Sequence, residues 1–197
     1  MDKSVVFIDG GYFSKLLKIQ FPDSMGFPKK IDYYKFGNIL ASKSNSELLR
    51  TYYYDSPPYI SSQATPPEKL RQKKFDEFIY NLRLLDKFEV RLGRLKKYNN
   101  FQGQPIFEQK GVDVLLAIDS LKLSLKNKIS KAIFVTGDSD FVPVIQAIKD
   151  EGVEVFLYYH DSAVHRNILQ VCDNKLLLDN TLVDNCLFIS TQERHPQ

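Results

Sequence analysis

Four aspartates could support metal-dependent chemistry because of their positions in the chain. They are Asp9, Asp113, Asp138 and Asp140. Asp9 and Asp138 each follow a short apolar run closely, and Asp113 opens a long apolar segment. Short carboxylate side chains on rigid elements fix the positions of their oxygen atoms, as a Mg²⁺ site requires. The sequence therefore predicts a divalent-metal site with these four acids as ligands and catalytic residues.

Each of these aspartates also has a possible structural role. Asp9 could form a turn, Asp113 could interact with a helix dipole, and Asp138 with Asp140 could cap a helix. Their combination favours the metal site, because three separate chain segments bring acids to the same rim of the predicted sheet. Clustered carboxylates repel one another, so a cation is their natural partner. Asp119 is a weaker ligand candidate, since it lies six residues after Asp113 and thus about 120° round the helix.

The elements that must position these acids are strands alternating with helices. Apolar and β-branched runs predict strands at 4–8, 48–54, 88–95, 131–135, 153–158 and 175–178. Caps and periodicity predict helices at 12–19, 32–41, 65–85, 111–126, 141–151 and 163–171, with a polar loop at 96–109. The helix at 111–126 is so apolar that we expect it to be largely buried. This alternation predicts an α/β fold, a Rossmann-type three-layer sandwich with a mainly parallel central sheet.

Length and composition limit the possible classes of protein. The chain has 197 residues, 43% of them hydrophobic, with 25 Phe and Tyr and no Trp, which excludes disordered, collagen-like and solenoid proteins. We expect one domain over 1–190 and a frayed tail at 191–197. No apolar stretch approaches the roughly 18 residues that span a bilayer, so we expect a cytoplasmic protein with no membrane partner. Cys172 and Cys186 lack metal-ligand spacing and are expected to be buried.

Charge is divided unevenly along the chain. Residues 1–100 hold 18 basic and 11 acidic side chains, whereas residues 101–197 hold 9 and 13. A basic half beside an acidic centre suits a polyanionic substrate. Candidates for phosphate contacts are Arg91, Arg94, Lys97 and Lys110, although a solvated basic face is the alternative.

Other side chains near the acids could contact a substrate. Thr136 and Ser139 could donate hydrogen bonds to a carboxylate or a phosphate, or could stabilise the turn instead. Tyr12 is a candidate because it lies close to Asp9 in the chain. The tyrosines at 52–54, 158 and 159 could stack on exposed bases as in proteins that bind single strands, although packing in the strand core is the alternative for most of them. The segment 48–54 could form a sheet edge that pairs two copies in a homodimer.

Three motifs together carry a resemblance to a known family. They are Val6-Phe-Ile-Asp-Gly10, Arg91-Leu-Gly93 with Lys110-Gly-Val-Asp-Val114, and Val135-Thr-Gly-Asp-Ser-Asp-Phe141. In order and spacing they resemble the NYN domain family, including its bacterial group of small single-domain proteins. The resemblance implies a PIN-like fold and metal-dependent ribonuclease activity. It also implies Mg²⁺ or Mn²⁺ as the cofactor, RNA as the partner, and Asp119 as a further acidic position.

The implied reaction is hydrolysis of an RNA phosphodiester by metal-activated water. The sequence departs from the family pattern at Tyr12, where family members often carry Asn. This departure supports an alternative function, a non-catalytic RNA-binding or regulatory module of the same fold. A phosphatase of the haloacid-dehalogenase type is disfavoured, because it would need a second aspartate two residues after Asp9.

Overall fold

The computed structural model describes residues 2–99, 102, 105–126 and 128–188, and describes only the backbone of 95–97, 99 and 105–109. These residues form eight strands: β1 (Lys3–Asp9), β2 (Glu47–Asp55), β3 (Phe88–Leu92), β4 (Arg94–Asn99), β5 (Pro105–Lys110), β6 (Lys131–Val135), β7 (Glu154–Tyr159) and β8 (Asn174–Leu177). They also form seven α-helices: α1 (Gly10–Ile19), α2 (Tyr33–Lys43), α3 (Pro66–Arg83), α4 (Val112–Leu125), α5 (Val142–Asp150), α6 (Arg166–Val171) and α7 (Asn180–Asp184). Two short 3-10 turns cover Ser139–Phe141 and Asp161–Ala163. The frayed tail predicted at 191–197 lies outside the described residues.

Six of the described strands form one sheet in which every neighbouring pair is parallel. Their order is β3-β2-β1-β6-β7-β8. Strands β2 and β3 therefore follow one another on one side of β1, and strands β6, β7 and β8 follow one another on its other side. This architecture confirms the predicted Rossmann-type α/β fold with its parallel central sheet.

Helices cover the two faces of this sheet and bury alternate residues of each strand. In β1, Val6 and Ile8 pack in one core with α1, α2, α3 and α7. Val5 and Phe7 pack in a second core with α4, α5 and α6. Strands covered on both faces are apolar at consecutive positions, which explains why β1 could be recognised in the sequence.

Helix α3 begins at the cap that the sequence predicts. The Thr65 side chain accepts a hydrogen bond from the Glu68 backbone N–H (3.4 Å), and the Glu68 carboxylate accepts one from the Thr65 N–H (2.8 Å). This reciprocal arrangement is a capping box, and prolines occupy the first two helical positions. The cap thus satisfies backbone donors that would otherwise lack a partner at the start of the helix.

The prediction of a polar loop at 96–109 is wrong for the described residues, because β4 and β5 form an antiparallel ribbon there. The predicted strand at 88–95 is correspondingly divided at Gly93. A Cβ atom on Gly93 would lie 2.5 Å from Val112 Cγ2 and 2.8 Å from the Lys110 carbonyl oxygen, so only glycine fits here. The two strands pair with each other and not with the main sheet. A ribbon open on both edges tolerates many lysines and polar residues, which makes its composition resemble that of a loop.

The expectation that 111–126 forms a largely buried helix is also wrong. Residues in α4 pack on the sheet through one side, where Ser120 and Ser124 are fully buried. On the opposite side, Val114, Ile118 and Leu125 are 59%, 50% and 53% exposed. The apolar composition of this segment therefore indicated that it forms a helix, but it did not indicate how much of the helix surface is buried. In the described part of the chain, no helix combines the length and apolar character needed to cross a bilayer.

Strand β2 lies inside the sheet, between β1 and β3. The expectation that 48–54 offers an edge for pairing two copies is therefore wrong. In the described sheet the outermost strands are β3 and β8.

Candidate active site

The predicted site forms where the strand order of the sheet reverses. Strand β1 ends at Asp9, and the neighbouring strand β6 ends at Val135, just before Thr136 and Asp138. In sheets of this topology the connections after two such strands leave in opposite directions, and ligands commonly bind at the carboxyl ends of the strands there. Asp113 enters the same region from the first turn of α4.

Thr136 connects the ends of β1 and β6 through its hydroxyl group. The hydroxyl donates a hydrogen bond to Asp9 Oδ2 (3.2 Å) and accepts one from the backbone N–H of Asp138 (3.2 Å). Thr136 is fully buried, so water does not compete for these bonds. The other oxygen of Asp9 accepts a hydrogen bond from the backbone N–H of Tyr12 (3.0 Å) at the start of α1. Asp9 is thus oriented from two directions.

Asp138 and Asp140 lie in the turn that follows β6. Asp138 Oδ1 accepts a hydrogen bond from the backbone N–H of Asp140 (2.9 Å) and so caps the 3-10 turn. Asp113, Asp138 and Asp140 are exposed. This exposure leaves their carboxylates accessible to a ligand.

The pKa values indicate that these acids interact. Burial raises the pKa of Asp9 from 3.8 to about 6, with smaller contributions from the charges of Asp113 and Asp138. The hydrogen bonds from Tyr12 and Thr136 oppose this rise. The pKa of Asp113 is also raised, first by burial and then by the charges of Asp138 and Asp140. Asp9 and Asp113 therefore lie in an electrostatic environment in which neighbouring acids disfavour their charges.

The donor chemistry of this cluster fits a hard divalent cation. Carboxylate oxygens are the ligands that Mg²⁺ and Mn²⁺ prefer, and a cation would relieve the repulsion that raises the pKa values. The positions of the side chains do not yet close round an ion, because no group of three His, Cys, Asp or Glu residues within the described ranges has metal-binding geometry. Their roles as metal ligands therefore stay predictions.

Asp119 does not join the cluster. Its Oδ2 accepts hydrogen bonds from Tyr54 Oη (3.2 Å) and from Arg91 Nε (3.2 Å). Arg91 also pairs with Glu89 (3.1 Å), and its guanidinium lies 5.6 Å from the centre of the Tyr52 ring. The charge of Asp119 is therefore compensated by Arg91 at a separate place on α4.

Tyr12, a predicted substrate contact, is held by the loop after β7. Its hydroxyl accepts a hydrogen bond from the backbone N–H of His160 (2.9 Å), and burial raises its pKa to about 12. A Cβ atom on Gly137 would lie 2.7 Å from Tyr12 Cε2 and 1.9 Å from the Ala163 carbonyl oxygen. Glycine at 137 thus allows three segments to meet beside Asp138, a contact that the sequence analysis did not identify.

The basic candidates lie on the ribbon or close to it. Arg94 and Lys110 are directly paired across β4 and β5, and both are exposed. The side chain of Lys97 lies outside the described part of the structure. The polar candidate Ser139 is partly buried at the start of the 3-10 turn. Contacts of the basic candidates and of Ser139 with a substrate stay predictions.

Together, the doubly wound parallel sheet and the acidic cluster at its switch point define a Rossmann-like α/β domain with a carboxylate site. The model of the NYN domain matches residues 3–179 of this chain, nearly its whole length. The protein belongs to the NYN domain family, which confirms the resemblance noted in the sequence and suggests a relation to PIN-like nucleases.

Comparison with solved structures supports the fold. The crystal structure of a protein of unknown function from Vibrio parahaemolyticus is similar over 95% of this chain and 96% of that one, with 19% identity and a TM-score of 0.57. At this identity the likeness extends to the fold alone. MurG of Acinetobacter baumannii aligns with a TM-score of only 0.37 and 9% identity, over 89% of this chain and 45% of that one, which is too low to support an argument. No curated protein sequence matches the chain.

Proposed function

We propose that this protein is a metal-dependent ribonuclease that hydrolyses RNA phosphodiester bonds. The observation that carries the proposal is the proximity of Asp9, Asp113 and Asp138 at the switch point of the sheet, where burial and then the charges of neighbouring acids raise the pKa values of Asp9 and Asp113. Perturbed titratable groups in a crevice are typical of functional sites. Membership of the NYN domain family supports nuclease chemistry in particular.

The proposed ligands of Mg²⁺ or Mn²⁺ are Asp9, Asp113, Asp138 and Asp140. When bound, such an ion lowers the pKa of water and neutralises charge on the reacting phosphate. The chain's own contribution is to hold Asp9 in position before the ion arrives. Thr136 and the Tyr12 N–H orient both oxygens of Asp9, so this ligand would need little reorganisation on binding, whereas the exposed carboxylates would have to close round the ion. Since the pKa of Asp9 is about 6, its carboxylate is charged at neutral pH.

Single-stranded RNA is the proposed substrate. Arg94 and Lys110 are exposed cations on the ribbon that directly precedes α4 and Asp113. They would contact phosphates on either side of the cleaved bond, which gives affinity without reading sequence. Ser139, in the acidic turn, would donate to a phosphate oxygen.

The test is cleavage of labelled single-stranded RNA in the presence of Mn²⁺, Mg²⁺ or EDTA. We expect cleavage only with a divalent ion, and we expect Asp138→Asn to abolish it. Asp86→Asn is the matched control, because Asp86 is an exposed acid that lies just before β3. It is therefore near the amino ends of the parallel strands, whereas the acidic cluster lies at their carboxyl ends. Equal activity in the Asp138→Asn and unmodified proteins would refute the proposed site.

A non-catalytic RNA-binding module is the second candidate. It is favoured by Tyr12, which stands where related domains often carry Asn and whose hydroxyl is occupied by the His160 backbone. The same assay separates the two functions. Tight RNA binding without cleavage in any metal would support the module.

A further inference from the structure

A small cavity lies beside the acidic cluster, between α1 and the 3-10 turn that follows β7. Its volume is about 240 Å³, and its walls include Tyr12, Lys15, Ile19, Gln20 and Ser162. Pockets that bind drug-sized ligands usually measure about 300 to 1,000 Å³. The cavity is therefore suited to a ligand no larger than one small ring system.

Tyr12 links this cavity to the proposed catalytic site. Its backbone N–H donates to Asp9 Oδ1, its ring lies against Gly137, and the same residue forms part of the cavity wall. Ala163 contributes to the wall as well, and its carbonyl oxygen closely approaches Gly137. A group in the cavity would consequently be a near neighbour of a phosphate held at Asp9.

The chemistry of the wall matches an unpaired nucleobase, which has apolar faces and a polar edge. Ile19, which is 56% exposed, and the Tyr12 ring provide apolar surface. Gln20 and Ser162 provide hydrogen-bonding groups, and Ser162 is held in place because its Oγ lies 2.8 Å from His160 Nδ1. Lys15 is exposed at the cavity wall and supplies a positive charge for an adjacent phosphate.

We propose that this cavity is a subsite for one unpaired base of the RNA strand, with Lys15 contacting the phosphate next to that base. This inference rests on the proposed function, since it takes RNA as the ligand of the neighbouring site. It would account for the proposed preference for single-stranded RNA, because a base in a duplex is not free to enter. Burial and stacking of one base raise affinity about 5- to 150-fold in single-strand binding proteins.

The test measures RNA binding without cleavage. Fluorescence anisotropy would follow a labelled ten-nucleotide single-stranded RNA binding to the Asp138→Asn protein in EDTA, with an abasic nucleotide placed at each position in turn. We expect one position at which loss of the base weakens binding at least about fivefold, the factor that corresponds to about 1 kcal/mol. The Ile19→Glu variant, which places a charge in the cavity, should bind intact RNA more weakly by a similar factor and show no further loss with the abasic strand.

Lysine variants provide the matched control. Lys15→Gln should weaken binding and reduce the dependence of log Kd on log salt by about 0.7, as loss of one phosphate contact to a single strand predicts. Lys18→Gln should change affinity less than about twofold, because Lys18 is exposed on the same helix but lies outside the cavity wall. Equal effects of the two lysine substitutions would indicate a diffuse charge effect and overturn the subsite.

The outcomes separate this inference from the proposed function. A flat abasic profile, or no binding of RNA at all, would overturn the subsite whatever the cleavage assay gives. A position-dependent profile that Ile19→Glu removes would support the subsite even if no metal produced cleavage, and in that case only the ribonuclease proposal would fail.

Discussion

Replacement of Asp9 by Asn should stabilise the metal-free protein at neutral and alkaline pH. Burial raises the pKa of Asp9 from 3.8 to about 6, so the folded protein binds this proton more tightly than the unfolded chain does. The free energy of unfolding therefore falls as the pH rises through the window between these two values. A shift of about two pKa units corresponds to roughly 3 kcal/mol, the destabilisation that the ionised carboxylate causes at pH 8.

The asparagine variant avoids this penalty but loses part of the hydrogen bonding. Its side-chain oxygen can still accept from the Tyr12 N–H, whereas its NH₂ group cannot accept from the Thr136 hydroxyl. One lost hydrogen bond costs about 1 kcal/mol. The net gain of the variant should thus be about 2 kcal/mol at pH 8, and it should turn into a small net loss near pH 4, where Asp9 of the folded wild type is protonated and the cost of the lost hydrogen bond remains.

Urea unfolding followed by circular dichroism at pH 4, 6 and 8 in EDTA would measure this difference. Asp86→Asn is the control for removal of an exposed carboxylate, and we expect no comparable pH-dependent gain from it. With Mn²⁺ present at pH 8 we expect the wild type to be more stable than Asp9→Asn, because an ion that binds only the folded wild type stabilises it. A stability difference between Asp9→Asn and wild type that stays constant from pH 4 to pH 8 would refute the reasoning.

Four further substitutions test the parts of the site separately. Thr136→Val removes the hydroxyl that connects Asp9 with Asp138, and it should cost about 1 to 3 kcal/mol in urea unfolding and lower the cleavage rate about tenfold or more. Gly137→Ala brings a Cβ atom within 1.9 Å of the Ala163 carbonyl oxygen, so we expect a loss of about 2 kcal/mol or more, measured by thermal melting. Asp119→Asn should leave the Mn²⁺-induced shift in melting temperature unchanged, whereas Asp113→Asn should abolish it; loss of the shift in both variants would place Asp119 among the ligands.

The sequence predicted the sheet and the location of the acids because both depend on local patterns. Strands β1 and β6 are short apolar runs, and each is closely followed by an aspartate. In a parallel sheet the carboxyl ends of neighbouring strands lie at one edge, so a correct strand assignment also positions the residues that follow. The cap at Thr65 and Glu68 is equally local, which is why it could be predicted in detail.

Features that depend on packing between distant segments could not be predicted in this way. The contact of Gly137 with Ala163 and Tyr12 joins three segments that are far apart in the chain, and no local pattern indicates it. The apolar residues of α4 do not reveal which side of the helix packs on the sheet, and helix α7 was not predicted at all. The ribbon of β4 and β5 escaped recognition because strands with two open edges resemble polar loops in composition.

Two acids on helix α4 illustrate how the proposed functional carboxylate differs physically from a structural one. Asp119 receives hydrogen bonds from Arg91 and Tyr54, so the fold itself compensates its charge. Asp113 lies six residues earlier, where burial and the charges of Asp138 and Asp140 raise its pKa. Keeping acids close together in this way costs folding free energy that the protein alone does not recover. A cation bound there would return that free energy, and this is the physical reason why we propose the catalytic role for the cluster around Asp113 and not for Asp119.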